Sequence, residues 1–488
     1  MCYRVPFAME VSFLQREESV IMNENTLRDV QEPNLLKELF PHVIPPRILF
    51  EDVIRESIDG TDVEFDPRSV IDRDIHITDT TFRDGQQARP PYSKKQMIRI
   101  FTMLSRLGGP NGVVRQTEYF LYTKKDRAAV DACRELGLRY PEITGWIRAE
   151  IGDLRLVKEM GLRETGMLTS CSDYHIFLKQ RQTRKEAMDK YLRVVAAALD
   201  AGVRPRCHLE DITRSDLKGF VIPFVRGLER LSESLPEHQK VKVRLCDTMG
   251  FGLSFPNVAE PRSIPKLIWR MREECGVDGH RLEWHGHNDF HKVHINGAAA
   301  WLYGADALNT TIFGFGERTG NAPLEGAVME YIGLKGALHG VDLRVITELA
   351  EYYQKEVGSV IPTNYPFVGR DFNTTRAGIH AGGLRKHEEI YTIFDTRSLL
   401  GRPPRVAITD KSGTDGIALW VNDFLGLKGK ERLSLTKVVK IQRWVMDQYE
   451  KEGRLTAISE QELEEQVRRH LPDLYERAKS GFGGSKKR

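Results

Sequence analysis

From residue 75 onward, short runs rich in β-branched and apolar residues alternate with longer stretches whose apolar positions recur at helical spacing. Eight short runs stand at 75–79, 112–118, 141–147, 164–169, 204–210, 241–247, 282–287 and 307–313, with helical stretches such as 94–107, 184–201 and 264–275 between them. Repeated strand–helix units make a parallel sheet, because parallel neighbours need a crossover. Eight units fit the roughly 250 residues of a (β/α)₈ TIM barrel. The expected fold is therefore α/β, with the barrel over 75–340 and an open doubly wound sheet as the alternative. Residues 1–74 mix short amphipathic runs such as 26–39 with breaks at Pro33, Pro41, Pro45, Pro46 and Pro67, and are expected to form a helical extension wrapping the barrel. Residues 341–430 form a further segment. Residues 431–488 carry amphipathic helices at 435–451 and 459–470 and end in a Gly/Ser/Lys tail.

Charge narrows the partners. With 72 basic and 69 acidic residues the net charge of +3 is too balanced for a nucleic-acid footprint, although the terminal SKKR is locally basic. No run approaches the ~18 apolar residues of a membrane helix, and Arg4, Glu10, Arg16 and Glu17 break up any signal-like apolar core. The expectation is a cytoplasmic protein acting on small molecules, with neither nucleic acid nor membrane as partner. The six cysteines (Cys2, Cys133, Cys171, Cys207, Cys246, Cys275) contain no C-x-x-C pair, which points to reduced thiols rather than a zinc knuckle or disulfide framework.

Candidate chemistry centres on LEWHGHNDF. His285 and His287 stand two apart at the end of a strand-like run, so both imidazoles lie on one face, and Asn288 and Asp289 follow at once. Nitrogen and oxygen groups gathered in this way suit a divalent cation. In a barrel the chemistry sits where strands end. Polar residues crowd those ends, from Asp79 to Gln87 and then at Glu118, Arg148, 172–175, Glu210, Asp247, Thr248, 285–289 and 317–321. A purely structural barrel would need no such crowding at one rim.

Several of these segments carry a family resemblance. DTTFRDGQQ (79–87), SDYHIFLK (172–179), LEDITRSD (209–216), CDTMG (246–250), HGHND and GFGERTGN (314–321) resemble the DRE-TIM metallolyase superfamily. More narrowly, they resemble its Claisen-condensing branch, which contains the isopropylmalate, homocitrate and Re-type citrate synthases. IPTNYPFVG (361–369) and RAGIHAGGLRK (376–386) resemble that branch's lid subdomain, so 341–430 is expected to be an α-rich lid. The resemblance implies Asp84, His285, His287 and Asn321 as ligands of Mn²⁺ or Mg²⁺, an O/N set that leaves open coordination positions. It implies Arg83 as the cation facing a substrate carbonyl, Glu118 as the acid holding that arginine, and Gln87 as a polar contact near the reacting atoms. Thr248 and Arg148 match positions around an oxo-acid carboxylate, and Glu210 faces the same cavity. His380 matches a lid histidine that moves protons, with Tyr391 as its companion. The glycine-rich loop around Gly316 allows close backbone approach, and Arg318 suits a phosphate of a coenzyme A tail. The implied activity is metal-dependent condensation of acetyl-CoA with a 2-oxo acid by a homodimer.

The acceptor is read from departures. Gln86 and His291 stand where the isopropylmalate and homocitrate members usually carry a glutamate and a small residue. Arg115, Gln116, Arg148 and His208 read as a polar pocket for a second carboxylate. GGPNGVVRQTEYF and EITGWIRAE are most similar to the Re-type citrate synthases, which implies oxaloacetate as acceptor. Homocitrate or isopropylmalate synthesis and carbon–carbon lysis in the same superfamily stay as alternatives. A non-catalytic metabolite sensor would be expected to have lost Arg83 or a metal ligand. The residues beyond 430 are fewer than the regulatory domain of leucine-sensing relatives, which implies that this control is absent.

Overall fold

The computed structural model describes residues 44–482. A β-hairpin, β1 (Ile54–Ile58) and β2 (Thr61–Phe65), precedes the barrel. Its tip is Asp59-Gly60, both at positive φ (51° and 80°), a two-residue turn matched to the twist of paired strands. The helical reading of this stretch is therefore corrected between 54 and 65, where the D-G signal between short strands prevails. The amphipathic run at 26–39 lies outside the described residues.

Eight parallel strands follow: β3 (His76–Asp79), β4 (Val114–Phe120), β5 (Glu142–Arg148), β6 (Glu164–Ser170), β7 (Arg204–Glu210), β8 (Lys242–Asp247), β9 (Leu282–Gly286) and β10 (Ala307–Thr310). Each pairs with the next and β10 pairs with β3, closing the barrel. Seven of the expected runs lie within two or three residues of a strand. The eighth stops at Thr310 instead of 313, because Phe313 takes φ 53° and turns the chain out of the sheet. Register aligns the strand ends: Ser170 faces Glu210, Glu210 faces Cys246, and Cys246 faces His285. Residues from four different strands thus reach one level at the barrel mouth.

The surrounding helices are set by caps and apolar faces. Lys94–Gly108 starts at a capping box between Ser93 and Gln96 and buries Met97, Ile100, Phe101, Leu104 and Leu107 against the barrel. At ~1.5–3 kcal/mol for each fully buried large apolar side chain, that face contributes on the order of 10 kcal/mol. A Cβ on Gly108 would lie 2.8 Å from Val114 N, so the return from helix to strand needs glycine there. The expected helix at 264–275 runs as Ile264–Trp269 and then widens to a π turn, with Cys275 N donating to Arg270 O. No helix among the described residues is long and apolar enough to cross a membrane.

After the barrel, Val345, Ile346, Leu349, Ile361 and Val368 still belong to its apolar core. Tyr365 of the TNYPFVG stretch donates from its hydroxyl to Glu325 and to the Phe313 carbonyl. A second core then forms from Ala381, Leu384, Ile417 and Val421 together with Ile441, Val445, Leu463 and Val467. This smaller subdomain carries the helix Gly378–Lys386.

Candidate active site at the barrel mouth

Asp84, His285 and His287 offer ligand atoms that all lie within 4.8 Å of one another. His285 Nε2 is 3.4 Å from Asp84 Oδ2 and 3.3 Å from His287 Nε2. Asn321 joins them, its Nδ2 donating to Asp84 Oδ2 at 3.1 Å, while its buried Oδ1 has no partner. The loop after β10 brings it there: Asn321 N donates to Gly314 O, and Asn288 N to Gly320 O. Burial pushes the His285 imidazolium down to about 3 and also lowers His287, so both rings are neutral and able to donate lone pairs. Burial pushes the Asp84 carboxyl up, but the adjacent Arg83 charge leads the influences that hold the group below its usual range. One carboxylate, two neutral imidazoles and an orphaned amide oxygen fit a divalent cation, and no thiolate is among them.

His285 is oriented from behind. Its Nδ1 lies 2.8 Å from Asn309 Oδ1, Asn309 Nδ2 donates to Thr78 Oγ1 at 2.8 Å, and the Thr78 hydroxyl donates to Glu283. With Asn309 Oδ1 as acceptor, Nδ1 carries the proton and Nε2 faces the cluster.

Arg83 is held just as firmly. Its Nε donates to Glu118 at 2.8 Å and to Thr80 Oγ1 at 3.2 Å, one Nη pairs with Asp84, and the guanidinium lies 5.6 Å from the Trp146 ring centre. Nη2 has no hydrogen bond among the described residues. Glu118 also accepts from Arg206 Nη2 (2.6 Å) and Arg244 Nη1 (3.1 Å). Burial opposes ionisation of Glu118, yet the charges of Arg244, Arg83 and Arg206 hold it well below the usual carboxylate range. Arg244 continues to Glu283 at 2.8 and 3.0 Å. Buried charges thus link Arg83 to the support of His285 through the barrel interior.

The acceptor pocket read from sequence does not form. Arg115 turns to Asp74 at 3.0 and 3.1 Å, and Gln116 is held between Glu142, Glu164 and Arg206 inside the barrel. His208 is buried 3.4 Å from Glu118, with burial pushing its imidazolium down to about 3. Arg148 ends β5 but folds outward onto Asp153, at 2.8 and 2.9 Å, with 62% of its side chain exposed. Positions 115 and 116 lie near the start of β4, three and two residues before Glu118, which places them below the mouth.

Other expected residues are scattered around the rim. Glu210 accepts from Ser170 and Lys179 and lies 3.0 Å from His175 Nδ1; burial opposes its ionisation, but His175, Lys179 and Ser170 pull it down to about 2. Thr248 Oγ1 accepts from Asp211 N, and its carbonyl accepts from Arg318, whose guanidinium is otherwise taken by Asp289 at 2.9 and 3.1 Å. Gly316 backs onto Asn321: a Cβ there would lie 1.8 Å from Asn321 Oδ1, so its role is to admit that side chain. Gln87 is exposed, whereas Gln86 pins the 82–92 loop, donating to Phe82 O and accepting from Tyr92 N. His291 is an exposed turn residue at φ 56°. His380 and Tyr391 lie together, ring centres 4.6 Å apart, at the edge of the second core, and no contact among the described residues joins them to the metal cluster.

Sequence reasoning missed Asn309, Thr78, Glu283, Arg206 and Arg244 as supports of the site. The signal was present as spacing of two, in Glu283–His285 on β9 and in Arg206–His208–Glu210 on β7, which sets Glu283 one pleat beneath His285 and Arg206 two pleats beneath Glu210.

Comparison with known proteins places this geometry. The chain is similar to the Citrate (Re)-synthase of Syntrophus aciditrophicus (strain SB), 52% identical over 467 residues that cover 94% of this chain and 72% of that protein. It is similar to the Citrate (Re)-synthase of Clostridium kluyveri, 49% identical over 453 residues, 92% of this chain and 97% of that one. A 2-phosphinomethylmalate synthase of Streptomyces hygroscopicus is 37% identical over 447 residues, covering 90% and 97%. With the HMGL-like family profile matching residues 74–352, which span the whole barrel and the Asp84, His285, His287 and Asn321 cluster, the chain belongs to the HMGL-like family.

Proposed function

We propose that this protein condenses acetyl-CoA with oxaloacetate to give citrate and free coenzyme A, as a metal-dependent citrate (Re)-synthase. The observation that carries the reading is the meeting of a neutral-imidazole and carboxylate cluster with a buried arginine whose Nη2 has no hydrogen bond among the described residues. Similarity to two citrate (Re)-synthases over more than nine-tenths of the chain supports the choice of acceptor.

Asp84, His285, His287 and Asn321 Oδ1 would hold Mn²⁺ or Mg²⁺. When bound, the cation polarises the keto group of the oxo acid and offsets the charge of the adjacent carboxylate. Arg83, kept rigid by Glu118, directs Nη2 at the oxygen that gains charge as the carbonyl is attacked, and so needs no reorganisation during the step. His380 is the proposed acceptor of the proton from the acetyl methyl, with Tyr391 beside it. The resulting carbon nucleophile attacks the keto carbon, and water then cleaves the thioester, releasing the thiol. Thr248 and Glu210 face the acceptor from the ends of β8 and β7. The exposed Ile379, Ile390 and Ile393 around the His380–Tyr391 pair support a homodimer as the working unit. Five free buried cysteines support a reducing, cytoplasmic setting.

The test is a panel of oxaloacetate, 2-oxoglutarate, 2-oxoisovalerate and pyruvate with acetyl-CoA, following free thiol with Mn²⁺ present. Oxaloacetate is expected to give the highest kcat/KM. A higher value with 2-oxoisovalerate would replace this reading with isopropylmalate synthesis.

A further inference from the structure

At the end of the barrel opposite the metal cluster, where strands begin, a cavity of about 880 Å³ opens between the starts of β5, β6 and β7. Its volume lies within the usual range for a metabolite site. Three arginines line it, and none has a carboxylate partner among the described residues. Arg204 is half-buried and donates only to the carbonyls of Lys240 and Glu237, at 2.8 and 3.2 Å. Arg134 donates only to the Met160 carbonyl. The exposed Arg163 has no side-chain partner among the described residues. Burial lowers the Arg204 guanidinium, with Arg281 and Arg206 adding to that, while the nearby Glu164 and Glu237 carboxylates pull the other way without forming an ion pair with it. Two carboxylates also line the cavity. Glu164 is already neutralised by Arg206 and Lys242, and Glu142 accepts from Gln116.

We propose that this cavity is a binding site for a small polyanion carrying two or three carboxylate or phosphate groups, held by Arg134, Arg163 and Arg204. Arginine forks suit both kinds of oxyanion, and a polyanion would give the three guanidiniums the direct ion pairs that they lack among the described residues. The site also touches the catalytic machinery. Gln116 and Glu164 on its wall both accept from Arg206 at 2.8 Å, Arg206 grips Glu118, and Glu118 holds Arg83. A bound anion therefore lies at one end of a continuous chain of contacts that ends at the reacting centre.

Equilibrium dialysis of the chelator-treated full chain against tricarballylate, an unreactive tricarboxylate, and separately against pyrophosphate tests the assignment with no metal at the mouth. One anion per chain is expected, and the tighter probe tells carboxylate from phosphate. Arg163→Glu, at an exposed side chain with no contacts to lose, should weaken binding tenfold or more, and Arg204→Met likewise, while Arg83→Lys should leave it unchanged. Absence of binding by both probes, or binding untouched by Arg163→Glu but lost in Arg83→Lys, would overturn the proposal.

Discussion

Replacing Asn309 by leucine removes the only acceptor for His285 Nδ1 among the described residues and the donor to Thr78 Oγ1, both at 2.8 Å and both buried. A buried donor left without its partner costs about 1–3 kcal/mol. Freed from Asn309, the imidazole also loses the contact that fixes its tautomer and ring plane, and supports of this kind are worth roughly 10–100-fold in metal affinity. Both numbers come from one hydrogen bond, and they agree, since a tenfold change in affinity is about 1.4 kcal/mol. Titrating chelator-stripped protein with Mn²⁺ in a calorimeter, beside a thermal melt, measures them separately. Asn309→Asp separates them further. It keeps an oxygen against Nδ1, so affinity should stay near wild type, but it turns a carboxylate oxygen toward Thr78, whose hydroxyl hydrogen already goes to Glu283, so stability should fall. An Asn309→Leu protein that binds Mn²⁺ as tightly as wild type would refute the assignment of Asn309 as the group that positions His285.

Three further outcomes are expected. Arg83→Lys keeps the charge but cannot reach Glu118, Thr80 and the reacting oxygen at once, so kcat should fall by about a hundredfold or more with little change in the melt; wild-type turnover would make the arginine structural. Chelation should abolish turnover, leave the barrel's circular dichroism in place and be reversed by Mn²⁺, and full activity of metal-free protein by elemental analysis would remove the cluster from the mechanism. Glu325, whose carboxyl burial raises from 4.5 to about 7, stabilises the fold fully below pH 4.5, and that contribution is lost as pH rises through about 7. At ~1.36 kcal/mol per unit the loss is about 3 kcal/mol between pH 4.5 and 8, and Glu325→Gln should flatten that part of the stability profile measured by urea titration.

The parts of this molecule that rest on local periodicity were legible in the chain. Strands buried on both faces read as short apolar runs between amphipathic helices, and eight of them leave few architectures open. His285 and His287 were legible for the same reason: a spacing of two on a strand fixes a common face whatever the rest of the fold does. The hairpin at 54–65 was missed although its Asp-Gly turn is a strong short-range signal, because the amphipathic runs and prolines before it drew the reading toward a broken helical extension.

The acceptor pocket failed for a different reason, one that lies in depth along the strand. Arg115, Gln116 and His208 are polar residues of barrel strands, and polarity alone led them to be placed at the mouth. The interior of this barrel is itself charged from the base upward: of the two buried arginines, Arg206 holds three carboxylates and Arg244 two. A charge so deep is stable only inside a network that satisfies it, and such a network draws its members from many strands. Glu118, Glu164 and Glu283 come from three different strands to meet those two arginines. No window of sequence contains that meeting, whereas strand register determines it. The same register that aligns Ser170, Glu210, Cys246 and His285 at the mouth puts Arg206 and Arg244 below them. Choosing acceptor-recognition residues therefore requires counting back from each strand's end: side chains one pleat down hold the mouth in shape, and only those at the end face what enters it.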